Sequence, residues 1–271
     1  MDSETLSSLS ASFPDLDQTM PALFVGHGSP MNAIEDNPYS RAWGELGRTL
    51  PRPTAILCVS AHWMTRGPRL TAMGRPKTIH DFGGFPPELF AMEYPAPGSP
   101  ALAELARQTV ASAPVQLAPD WGLDHGAWSV LVRMYPAADV PVVQLSLDGT
   151  RPPEWHYALG QELQALRRKG ILILGSGNVV HNLRRISWDD RAFDWAVEFD
   201  HTVERLILAR DHQPLIHYDT LGPAARLAIP TNEHYLPLLY ILALQGSDEP
   251  VRFHAEGITM GSLSMRCVQV G

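Results

Sequence analysis

Cysteine is scarce: two residues in a chain of 271, which leaves no disulfide framework to build. There is no Cys-x-x-Cys pair, so a structural zinc finger is excluded. His-Glu-x-x-His and Gly-x-Ser-x-Gly are both absent, which removes the common metalloprotease helix and the nucleophile elbow of serine hydrolases. No apolar run approaches the roughly 20 residues of a membrane-spanning helix. Basic charge is also in deficit. Lys and Arg number 21 against 29 Asp and Glu, a net charge of −8. That sign disfavours nucleic acid as a partner. The N-terminus is rich in Ser and Asp and lacks a basic-then-apolar leader pattern. Residues 1–19 therefore read as a flexible lead-in, residues 20–271 as one folded domain, and the protein as soluble and cytoplasmic.

What is present is an alternation of short apolar runs and helical patterns. Three runs end on a histidine or lead straight to one. Pro21–Gly26 meets His27, Thr54–Ala61 meets His62, and Ile171–Gly177 leads through Asn178 to His181. Such runs, bounded by Gly or Pro, read as buried parallel strands. Helical patterns are expected over 38–49, 99–113, 125–134, 152–170, 189–211 and 234–244. Further strands are expected near 69–73, 115–117, 141–147 and 262–270. The pattern predicts a single α/β domain with a mostly parallel or mixed central sheet and helices on both faces. In such sheets ligands bind beyond the carboxyl ends of the strands, so the three histidines are delivered to one edge.

The chain has 11 histidines. His156, His201, His212 and His217 lie in polar helical stretches and read as surface residues, and His254 as part of an exposed strand. His27, flanked by Gly26 and Gly28, and His62 are candidate metal ligands, since neutral imidazole suits Zn and Fe(II). His125 follows Asp124, a fitting helix cap. It is either a helix-start residue or a proton donor at a substrate. His181 is placed for acid–base work. Glu233 and His234 adjoin, and either one can complete a metal set: the carboxylate of a two-histidine triad, or a third histidine. His80, Phe82, Phe85 and Trp128 are candidates for an aromatic-binding pocket, with His80, Phe82 and Phe85 in the Pro- and Gly-rich stretch 80–87, where His80 either lines the pocket or holds the loop through hydrogen bonds.

Six motifs occur in order: Gly26-His27-Gly28-Ser29-Pro30, Ser60-Ala61-His62-Trp63, Thr78 to Pro86, Gly122 to Trp128, Gly175 to Asn182, and Glu233 to Leu239. Together with the closing Gly261–Arg266 they resemble the bacterial 4,5-DOPA extradiol dioxygenase-like proteins, of the class III, protocatechuate 4,5-dioxygenase-type superfamily. The resemblance spans residues 20–271. It implies a catalytic domain that opens a catechol-type, DOPA-like ring with both atoms of O2, giving a muconic semialdehyde. It implies one non-haem metal, Fe(II) for activity with Zn(II) as the alternative occupant, held by His27, His62 and His234. His181 is then the acid–base histidine, or a fourth ligand when zinc is bound, and His125 a histidine at the substrate. Relatives of the protocatechuate type place a glutamate at the third position, which leaves Glu233 against His234 open. The partners implied are a small aromatic substrate and O2. Two rivals remain on the same residues: a zinc-dependent hydrolase, and a non-catalytic binder of metals or aromatic ligands.

Overall fold

The computed structural model describes residues 13–189 and 191–271. Its centre is an eight-stranded mixed sheet. The strands are β1 (Ala22–Gly26), β2 (Ala55–Thr65), β3 (Arg69–Thr71), β4 (Gln116–Ala118), β5 (Val142–Asp148), β6 (Ile171–Gly177), β7 (Val251–His254) and β8 (Cys267–Val270). Their spatial order is β4-β3-β5-β2-β6-β1-β8-β7. The inner pairs β5–β2, β2–β6 and β6–β1 are parallel, while β8 and β7 extend the edge antiparallel. Both faces of the inner strands are buried, and this explains their continuous apolar runs.

Side chains alternate between two cores. Leu23, Ile56, Cys58, Leu172 and Leu174 pack against α1 (Pro38–Thr49) and α3 (His125–Met134) through Trp43 and Leu131. On the other face Phe24, Leu57, Ile171 and Ile173 meet α2 (Pro100–Thr109), α4 (Pro153–Glu162), α5 (Asp194–Leu208) and α6 (Leu236–Leu242). Both cysteines are buried and unpaired. Among the described residues no helix is long and apolar enough to cross a membrane.

Several expected elements are displaced, each for a visible reason. The expected helix 189–211 starts only at Asp194, because Ser187 and Phe193 donate their backbone N–H to Met260 and Gly261 instead of entering a helix. The helix expected from His234 begins at Leu236. The His234 carbonyl accepts from the Asn178 N–H, at 2.8 Å, so it serves a neighbouring segment. The stretch 152–170 breaks at Leu163, and Gly170 stops it with φ +72°. Of the expected lead-in, residues 1–12 lie outside the described residues. Its remainder is packed: Phe13 is buried and the Leu16 N–H donates to the Arg168 carbonyl. His156 corrects the surface reading. It is fully buried, with Nδ1 3.0 Å from the Tyr240 hydroxyl, because α4 turns that side of an otherwise polar helix onto α6.

Close backbone approach fixes the site end of β6. A Cβ on Gly177 would overlap the His234 carbonyl oxygen. Gly177→Ala is expected to lower stability in urea unfolding by ~1–3 kcal/mol through overpacking. Gly83→Ala, where a Cβ meets nothing within 4 Å, is expected to leave stability unchanged.

Candidate metal centre

The carboxyl ends of β1, β2 and β6 lie side by side, and each supplies part of one cluster. His27 follows β1 directly, and its N–H donates to the Gly177 carbonyl at 3.0 Å. His62 sits inside β2 where the pairing with β5 shifts register between Val59 and Met64. Such irregularities re-aim side chains next to functional sites. His234 enters from the loop before α6, made possible by the missing side chain at Gly177. His27 and His234 are buried and His62 is partly so. One ring nitrogen from each of the three lies within 4.8 Å of the others, and the His27 and His62 Nε2 atoms are 3.2 Å apart.

The other ring nitrogen of each histidine has a partner. His27 Nδ1 is 2.9 Å from Ser176 Oγ. That hydroxyl donates to the Gly126 carbonyl, so it accepts from the imidazole. His62 Nδ1 is 3.3 Å from Asp81 Oδ2, and His234 Nδ1 is 3.1 Å from Glu233 Oε1. An oxygen therefore stands behind each of the three Nδ1 atoms, hydrogen-bonded to those of His27 and His234 and at ion-pair distance from that of His62. This turns the three Nε2 atoms towards one another, and the buried His234 Nε2 has no hydrogen-bond partner. Two Nε2 atoms 3.2 Å apart need either a proton on one of them, as in an N–H···N bond, or a cation between them. Two nitrogens on one ion at ~2.1 Å and tetrahedral or octahedral angles stand roughly 3.0–3.4 Å apart. The cluster fits a metal ion, and Glu233 fits as the support of His234 rather than its substitute.

Burial, and then the neighbouring imidazoles, hold these groups neutral. His27 and His234 are pushed well below the ordinary value of 6.5. His62 is lowered to about 3 by burial and His125, against the pull of Asp81. His181 is lowered to about 4, mainly by burial. It stacks on His234 with ring centres 3.4 Å apart and planes at 7°. Its ring nitrogen groups with Glu233 and His234, not with His27 and His62. His125 opens α3, with Asp124 capping the helix through the Ala127 N–H. Its own N–H donates to Asp81 Oδ1 at 2.9 Å.

A cavity of about 770 Å³ opens over the cluster, lined by all five histidines and by Phe82, Phe85 and Trp188 among others. Phe82 and Phe85 meet edge to face at 5.4 Å. Two expected pocket residues stand behind this wall. Trp128 is fully buried and donates Nε1–H to the Ile79 carbonyl, and His80 Nε2 is 2.9 Å from the Met92 carbonyl. They support Phe82 at ring distances of 6.2 and 5.8 Å. Ser176 and Asp81 escaped sequence reasoning. Asp81 carried one faint signal, its place beside His80 in the Gly- and Pro-rich stretch.

Residues 21–265 match the family described as the catalytic LigB subunit of aromatic ring-opening dioxygenase. A 4,5-DOPA dioxygenase extradiol of Escherichia coli (strain K12) is 53% identical over 259 residues, covering 93% of this chain and 95% of its own. One from Beta vulgaris is 38% identical over 243 residues, covering 86% and 89%. The crystal structure of an uncharacterized protein from Escherichia coli K12 superposes with a TM-score of 0.82 at 49% identity. That match covers 93% of this chain and 100% of the other.

The neutral histidines set a pH dependence for the metal-free chain. The unfolded chain takes up protons below 6.5, while folded His181 and His62 refuse them until about 4 and about 3. Stability is thus complete above pH 6.5 and falls as the pH drops from there through the folded values. Thermal melts at pH 7.5, 6 and 5 should show a declining Tm, and Tm rising towards pH 5 would contradict buried neutral imidazoles.

Proposed function

The chain belongs to the LigB family of aromatic ring-opening dioxygenases, and from that membership we propose a metal-dependent extradiol dioxygenase acting on catechol-type rings with a DOPA-like side chain. The observation that carries this reading is the set of three Nε2 atoms turned towards one another, each ring backed at Nδ1 by Ser176, Asp81 or Glu233. His27, His62 and His234 would hold the ion. Three protein ligands leave positions for substrate and oxygen, whereas a closed site of four would not. Bound there, Fe(II) supplies Lewis acidity and a path for electrons from a chelated catechol to O2.

The chain's own groups do the rest. Phe82 and Phe85 offer edges and faces to a flat ring and keep water from it. His181 lines the cavity as a neutral imidazole and takes the proton of a catechol hydroxyl. His125, whose Nδ1 lies 3.0 Å from Asp81 Oδ1, also lines the cavity and is the second proton carrier. Both oxygen atoms enter the product and no external reductant is required. Cleavage beside the two hydroxyl carbons gives a muconic semialdehyde.

Anaerobic loading with Fe(II), then exposure to air with L-DOPA and simple catechols, should give O2 uptake matched by a yellow ring-opened product. The zinc-loaded protein should give none. No uptake across the panel, with zinc tightly held, would move the assignment to a zinc-dependent hydrolase, which needs no O2, or to a non-catalytic binder. His181→Ala should retain metal and lose ~10²–10⁴-fold in kcat. Loss of the metal as well would make His181 a ligand instead.

A further inference from the structure

We propose that Asp81 is a positioning residue that sets two histidines of the site with one carboxylate: it fixes the protons of both His62 and His125 on Nδ1, so that both rings turn a bare Nε2 away from it. Its Oδ1 lies 3.0 Å from His125 Nδ1 and 2.9 Å from the His125 N–H, and its Oδ2 lies 3.3 Å from His62 Nδ1. The bond from the His125 N–H is the well-aligned one. Both ring contacts are close, and neither is an aligned hydrogen bond. Proton placement follows from charge all the same. A lone pair on either Nδ1 would face a carboxylate at 3.0 or 3.3 Å, and a proton there removes the repulsion.

The carboxylate is held where it can do this. The strand Lys77–Thr78 pairs with Gly122–Leu123, directly before α3. The Ile79 N–H donates to the Leu123 carbonyl, and the Trp128 indole N–H reaches back to the Ile79 carbonyl. Asp81 therefore moves with the start of α3, where the free helix N–H groups favour a negative charge. Its side chain is 22% exposed. The His62 and His125 rings are themselves 3.9 Å apart, so neither turns without disturbing the other.

The consequence joins two functions. A carboxylate on Nδ1 makes His62 a more basic donor through Nε2. The same carboxylate, with the proton on Nδ1, leaves the His125 Nε2 lone pair turned away from it as an acceptor. The effect on turnover rests on the dioxygenase reading, while the proton positions belong to the chain itself.

Histidine-directed ¹⁵N NMR of the metal-free protein at pH 8 reads the tautomers directly. In the native chain His62 and His125 should both carry the proton on Nδ1. Asp81→Ala should mix the tautomers of both rings. Asp81→Asn, nearly isosteric and so the safer fold, offers one oxygen and one NH2 group. It should keep Nδ1–H on one ring and switch the other to Nε2–H. Co(II) titration followed by visible absorption should show ~10–100-fold weaker binding in Asp81→Ala. An Nε2–H tautomer on either ring of the native protein, or Asp81→Asn leaving both rings unchanged, would overturn the proposal. These readouts do not depend on turnover, so a protein that opened no catechol would overturn the functional reading and leave this one standing.

Discussion

Three imidazole lone pairs crowded within a few ångströms are the constraint on which the rest of this structure depends. Such a cluster needs a proton or a cation among its nitrogens. The fold therefore has to hold them by other means than their attraction for each other. It does so through the far side of each ring, where Ser176, Asp81 and Glu233 stand against Nδ1. Each of these acceptors is itself held: Ser176 by the Gly126 carbonyl, Glu233 by the Thr231 hydroxyl, Asp81 by the His125 N–H. Ring orientation is decided before any ion arrives, so binding does not have to reorder the side chains.

The sheet supplies the rigidity that this arrangement needs. Parallel β1, β6 and β2 are hydrogen-bonded neighbours with both faces covered. Their carboxyl ends form a fixed edge. The fourth approach, by the segment around His234, is made over bare glycine backbone at Gly175 and Gly177. The antiparallel extension is pinned from the opposite side, where buried Arg266 pairs with Asp200 at 2.6 Å and with Glu204 at 3.0 Å. Removing either partner of such a pair leaves a buried charge uncompensated. The pair thus ties α5 to the strand beside β1 and keeps the edge of the cavity in register.

The acid–base work and metal binding proposed for these residues would ask compatible things of them. Burial lowers the affinity of these histidines for protons. Protons then do not compete with a metal ion near neutrality. It also keeps His181 available as an acceptor. The aromatic wall of Phe82 and Phe85 adds shape without charge, and the rings behind it, His80 and Trp128, fix that wall through backbone contacts. The aromatic wall and the carboxylate beside His62 and His125 thus share one loop, residues 79–85.

The sequence by itself determined the strands that end at His27 and His62, the strand that leads to His181, the cap at Asp124 and the mixed α/β class. All of these depend on short-range signals: apolar runs, capping residues and glycines within a few positions of one another. It left Glu233 and His234 undivided, put Trp128 and His80 on the pocket surface, and placed His156 outside. Those were decided by contacts between residues far apart in the chain. Ser176 lies 149 positions from His27, and Tyr240 lies 84 from His156. A motif states which residue types reach one edge of a sheet. Which nitrogen of each ring faces the ion, and which carboxylate stands behind it, follows only once distant segments pack. The proton position on an imidazole is set by its neighbours in space, and no local pattern encodes them.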